Sequence, residues 1–108
     1  MELTVFWLQF AEDKLDDIYR YYRIKAGKRI AEKLVNGIVN KTARLGKHPK
    51  IGQVEISLSH RKIEYRYLVY KNYKIIYWIN KSSNRVEIAN VFDTRQNPNK
   101  INETDTTV

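Results

Sequence analysis

Three short apolar runs follow one another in the second half of the chain, at 65–70, 73–80 and 86–92. Each is rich in β-branched and aromatic residues and has the length of a strand. Lys71-Asn72 separates the first two and Ser82-Ser83-Asn84 lies between the last two. Connections so short join antiparallel neighbours, and Asn is expected to supply the positive φ that a two-residue hairpin requires. This meander limits every fold open to the chain, because a sheet must have its faces covered. In the run 73–80, Tyr73, Ile75, Tyr77 and Ile79 fall on one face and Lys74, Ile76 and Trp78 on the other. Both faces are apolar, more than a one-sided sheet needs. The second face must be covered either by the chain itself or by a partner. The expectation is a partner, since two helices cannot easily cover two faces.

Those two helices are expected before the meander. The β-branched and aromatic segment Leu3-Thr4-Val5-Phe6-Trp7 reads as an opening strand. The period then changes: Ala11, Leu15, Ile18 and Tyr22 recur at helical spacing over about 10–26. Acidic residues occupy its first turns, basic ones its end, and Gly27 supplies a stop. A second helix follows at once, with Ala31, Leu34, Ile38 and Leu45 on one stripe, and Gly46 and Pro49 end it. The short connection implies a helical hairpin. Alternation over 53–58 reads as a further strand, and residues 97–108 read as a frayed polar tail. The fold class expected is α+β: N-terminal strand, two-helix hairpin, then a three- to four-stranded antiparallel sheet, with the first strand at its edge or centre. The domain spans 1–98 and the tail 99–108. Trp7, Leu15, Ile18, Leu34, Ile38 and Ile75 are the expected core between helices and sheet.

With 108 residues and ordinary proportions of apolar and charged residues, the chain is one globular domain. It lacks cysteine, which excludes a disulfide framework and a thiolate metal site. No apolar run approaches the roughly 20 residues of a membrane span, and the N-terminus does not have the form of a signal peptide. A cytoplasmic location is expected. The net charge of +8 favours an anionic partner, nucleic acid or an acidic protein surface. Its distribution is uneven. Residues 28–50 carry seven bases against Glu32, and residues 61–81 carry six against Glu64.

Phosphate-loop, GxSxG and HExxH motifs are absent, and His48 and His60 lie apart in polar connections. Neither a metal site nor a cofactor is expected. Basic residues remain, and phosphodiester cleavage through a ribose 2′-OH can use them beside a general acid and base.

The passage Leu45…Pro49…Gly52…Arg61, the strands after it and the arginine of Asp93-Thr94-Arg95 resemble the RelE/ParE toxins of bacterial type II toxin–antitoxin pairs. The resemblance covers nearly the whole chain. It implies that Tyr73-Lys74-Ile75-Ile76-Tyr77 stands where nuclease members carry an arginine after an aromatic residue. Lys74 keeps the charge without the planar fork. Arg95 corresponds to the basic residue after the last strand, and Arg66 is the one base where a lysine pair is implied. The C-terminal Tyr or His acid of the nucleases has no counterpart; Tyr65, Tyr67 or His60 are candidates for its role. These departures point to the ParE branch, whose members poison DNA gyrase by binding. Arg61, Arg66, Lys74 and Arg95 are then target-binding residues. In the alternative, a ribosome-dependent, metal-independent mRNA endonuclease, Arg66, Lys74 and Arg95 are catalytic. A second alternative is a non-toxic basic RNA-binding module. The partners implied are a cognate antitoxin protein and either DNA gyrase or the ribosome and its mRNA, with a homodimer or a toxin–antitoxin hetero-oligomer as the assembly.

Overall fold

The three runs of the meander become strands and the two period-3.6 runs become helices, the second of which tightens into a 3-10 turn over Thr42–Gly46 before its expected end. The computed structural model describes residues 2–104, which run through β1 (Thr4–Trp7), α1 (Gln9–Ala26), α2 (Lys28–Lys41), β2 (Gln53–Val54), β3 (Arg66–Tyr70), β4 (Tyr73–Asn80) and β5 (Arg85–Asp93). A 3-10 turn at Pro98–Glu103 follows β5. Gly27 is the whole of the helix–helix joint. Its N–H donates to the carbonyls of Tyr22 and Arg23, closing α1, while its own carbonyl accepts from Ala31 and opens α2. The turn requires φ of 99°, which glycine adopts without steric cost.

The five strands form one sheet in the order β1-β5-β4-β3-β2. The meander β3-β4-β5 is antiparallel, as expected. The first strand lies at an edge and runs parallel to β5, with Thr4 opposite Arg85 and Trp7 opposite Ile88, so the sheet is mixed. Lys71, not Asn72, takes the positive φ in the β3–β4 turn. The Asn72 amide instead donates to Asp93 Oδ1 at 3.1 Å. The strand expected over 53–58 stops at Val54. Glu55 turns its carboxylate to the Ser57 N–H and hydroxyl, and Ile56–Leu58 winds into a 3-10 turn. A local side-chain bond of this kind competes with strand pairing.

A bulge at Ala89 sets which residues face which way. Ile76 lies opposite Asn90 but Tyr77 lies opposite Ile88. Strict alternation from Val86 and Ile88 would carry Asn90 and Phe92 to the helix side. The bulge places Val91 there instead and leaves Ala89 and Phe92 on the opposite face.

Two cores result. Leu34, Ile38 and Leu45 pack with Ile75, Tyr77, Val86, Ile88 and Val91 on the helix side. Of the expected core residues, Leu34, Ile38 and Ile75 are buried, while Trp7, Leu15 and Ile18 are partly buried against them. On the other face Ile76, Trp78, Ala89 and Phe92 are covered by Leu58, Ile63, Tyr65 and Ile101, all from this chain. The expectation of a partner on the second face is therefore corrected. The segment 55–65 and the C-terminal turn form a third layer.

The tail is corrected with it. Ile101 is 4% exposed and Thr104 1%. The Thr104 hydroxyl accepts from the buried Asn90 amide at 3.0 Å. Ile101 and Thr104 thus anchor the turn at Pro98–Glu103 on the sheet, where fraying was expected, and residues 105–108 of the expected tail lie outside the described residues. Among the described residues no helix is long and apolar enough to cross a membrane.

Candidate functional site

Each of the four arginine and lysine positions singled out in the sequence is held by an internal contact. Arg61 reaches the C-terminal turn, donating from Nη1 to the Thr104 carbonyl at 3.0 Å and from Nη2 to the Asn102 carbonyl at 2.7 Å. Its guanidinium lies 5.5 Å from the centre of the Tyr65 ring. Arg66 donates from Nη1 to the Gly52 carbonyl at 2.8 Å and from Nη2 to Glu64 at 3.3 Å. The Lys74 ammonium sits 2.7 Å from the Glu55 carboxylate and 4.2 Å from the Tyr67 ring centre. Arg95 grips Asp93 through Nε and Nη2, at 3.1 and 3.0 Å.

Their faces differ. Lys74 alternates with Ile76 and Trp78 and so belongs to the second-core side of β4. Arg66 alternates with Leu68, a residue of the helix-side core. Arg95 lies beyond the end of β5, where its Nη2 also donates to the Tyr22 hydroxyl of α1 at 3.3 Å. The structure brings together Lys74, Glu55 and Tyr67, and Arg61 with Tyr65; it does not bring Arg66, Lys74 and Arg95 to one point. The Tyr67 hydroxyl donates to Gln53 at 2.9 Å. His48 and His60 are both exposed, and among the described residues no cluster of three His, Cys, Asp or Glu side chains could hold a metal.

Around Arg95 a cleft of about 380 Å³ opens between α1 and the β4–β5 end of the sheet, lined by Lys14, Asp17, Tyr22, Tyr73 and Asp93. Its electrostatics follow from its packing. Burial and the Tyr22 hydroxyl push Tyr73 up to about 12, whereas the hydrogen bond from Arg95 lowers Tyr22. Burial raises the Asp93 carboxyl, but bonds from Arg95 and Asn72 outweigh it and the net shift is downward. The acid in turn raises Arg95. Sequence reasoning missed Tyr22, Tyr73 and Asp93. Tyr22 and Tyr73 sat on apolar stripes, which gave no sign of a polar role. The signal for the pair of Asp93 and Arg95 was two opposite charges set two residues apart.

Cleavage through a 2′-OH needs a base, an acid and cations converging on one phosphate. Here the cations lie on different faces and are engaged with carboxylates and backbone carbonyls. Of the four, Arg95 is the most open to solvent, with 60% of its side chain exposed.

The sequence model of the family described as "ParE toxin of type II toxin-antitoxin system, parDE" matches residues 5–98. The chain belongs to the ParE toxin family. The match ends at Pro98, where the C-terminal turn begins, so the rest of that turn, from residue 99, lies beyond the matched span. No curated protein matches the sequence. Among solved structures, a chain of the chromosomal ParDE TA system from P. aeruginosa superposes with a TM-score of 0.71 at 20% identity, covering 85% of this chain and 96% of that one. At that identity the likeness is one of fold, and it places the helical hairpin and the sheet among those of a ParDE system. Family membership makes the protein a ParE-like toxin of a type II toxin–antitoxin system, in the ParE branch of the RelE/ParE toxins.

Proposed function

We propose that this toxin arrests growth by inhibiting DNA gyrase, that a cognate antitoxin neutralises it, and that it acts in the cytoplasm. The observation that carries the choice of target is the dispersal of Arg66, Lys74 and Arg95. Two of them are locked against the fold, and they lie on different faces of the sheet. An mRNA endonuclease would need them convergent beside an acid.

Of the four cations assigned to target binding, Arg95 makes the contact directly. Arg61, Arg66 and Lys74 serve it by holding the layers that position the cleft. The antitoxin presents acids to the basic surface, so its association rate falls with salt. The toxic unit is the domain 1–98 with its C-terminal turn in place.

The test is induced expression with two parallel readouts, supercoiling by purified gyrase and mRNA integrity on translating ribosomes. Inhibited supercoiling with intact mRNA is expected, and Arg95→Ala is expected to relieve it while the urea midpoint stays close to wild type. Ribosome-dependent cuts within mRNA, lost in Arg95→Ala, would reverse the assignment.

A further inference from the structure

A second cleft lies at the far end of β4 from Arg95, and it has the composition of an anion site. It measures about 290 Å³ and is walled by Lys50, Arg66 and Lys81 against the single acid Glu64, over the apolar side chains of Ile63, Trp78 and Ile79. We propose that this cleft binds one nucleotide unit, its phosphate held by the three cations and its base laid against the apolar wall.

Arg66 carries the argument. Nη1 is committed to the Gly52 and Lys50 carbonyls, at 2.8 and 3.4 Å, which fixes the guanidinium plane. Nη2 makes only a long contact of 3.3 Å to Glu64, whose side chain is 64% exposed. Nε is buried and has no hydrogen-bond partner. Arginine has five donors in a planar fork. The Nη2 end is therefore the underused one, and a guanidinium donor held so loosely is suited to a phosphate oxygen. Exposed ion pairs such as that of Glu64 contribute little, so an incoming phosphate displaces Glu64 readily.

Lys50 and Lys81 bring two more charges. They lie on separate segments, before β2 and after β4, and neither makes an ion pair among the described residues. The apolar wall separates a nucleotide from a bare anion. Inorganic phosphate would leave Ile63 and Trp78, neighbours in the second core, unused, whereas every base has a flat apolar face. The volume of about 290 Å³ lies just below the range of about 300–1,000 Å³ usual for ligand sites. It suits one nucleotide rather than a longer stretch. That nucleotide is either free or one residue of a single strand, and both present the same phosphate and base.

The experiment is a titration of the full chain, isotopically labelled, with thymidine 5′-monophosphate, with a short oligothymidylate and with sodium phosphate, followed by NMR. Saturable shifts of the Trp78 indole and Arg66 Nε resonances are expected with the first two. The mononucleotide should bind about tenfold more tightly than phosphate, the contribution of the apolar wall. Lys50→Gln with Lys81→Gln, both exposed positions that leave the core intact, should weaken binding about tenfold. Glu64→Gln should strengthen it. Tighter binding of the oligonucleotide would assign the source to a nucleic-acid strand, and tighter binding of the monophosphate to a free nucleotide. Shifts spread evenly over surface cations, binding indifferent to these substitutions, or phosphate binding as well as nucleotide would overturn the proposal.

Discussion

Burial pushes the Glu55 carboxyl up, but the Lys74 ammonium and the Ser57 hydroxyl outweigh burial, so the carboxyl titrates below its ordinary range. A carboxylate depressed in the folded state adds stability that is present above the unfolded value and is lost as pH falls through the folded one. Asp93 is depressed in the same direction by Arg95 and Asn72. Urea midpoints are therefore expected to hold steady from neutral pH down to about pH 5 and to fall in more acid solution. Glu55→Gln should remove part of that fall. Lys74→Ala should destabilise by about 1–3 kcal/mol at neutral pH, because it strands a carboxylate that is 4% exposed. An unchanged midpoint would return Lys74 to a purely target-binding role. Tyr77 is a second such point. Its hydroxyl, wholly buried, accepts from the Gly52 N–H at 2.9 Å and donates to the Pro49 carbonyl at 2.7 Å. Tyr77→Phe leaves both partners unmet, and a loss of about 1–3 kcal/mol in chemical denaturation is expected. Gly52 cannot be replaced there without strain, because a Cβ would meet the Tyr77 hydroxyl oxygen at 2.5 Å and the Tyr67 carbonyl at 2.7 Å.

Helix α2 shows how far an element's own pattern reaches. Its stripe of Ala31, Leu34 and Ile38 is buried, and Ile30 and Val39 beside it are exposed. Ile38→Ala should lower stability by about 2–5 kcal/mol. Ile24→Ser near the end of α1, where Ile24 is 84% exposed, should change it by less than about 0.5 kcal/mol. Equal losses by thermal melting would show the stripe wrongly placed. Both helices and the three strands of the meander were legible because each announces itself within a dozen residues, through period and turn chemistry. The parts that were not legible depend on distant segments. Nothing local to Lys74 indicates that Glu55 will meet it, nor does anything near Arg61 point to the carbonyls of Asn102 and Thr104. The segment 53–58 alternates like a strand, yet Glu55 bonding Ser57 winds it away after Val54. The cations legible as a basic surface are thus partly the struts of a covering layer.

That covering layer is what distinguishes the whole molecule from a two-layer sheet-and-hairpin fold. Leu58, Ile63 and Tyr65 from one segment and Ile101 from another close the second face, and Arg61 ties the two segments together. Ending the chain at Asn97 would take Ile101 away from the second core and leave its cover to Leu58, Ile63 and Tyr65. Such a variant is expected to unfold at lower urea concentration and to bind a hydrophobic dye that the full chain excludes. Wild-type stability in the shortened chain would show that the turn from Pro98 merely rests on the sheet. The helix-side core, by contrast, is closed by the first strand as well as by the hairpin. β1 can pair only with β5, the final strand of the sheet, which it meets in parallel from Thr4 opposite Arg85 to Trp7 opposite Ile88. Contacts between segments some eighty residues apart slow folding. The edge of the sheet that β1 supplies therefore cannot form until residues 85–93 have been made, and until then Leu3, Val5 and Trp7 have no strand to pack beside.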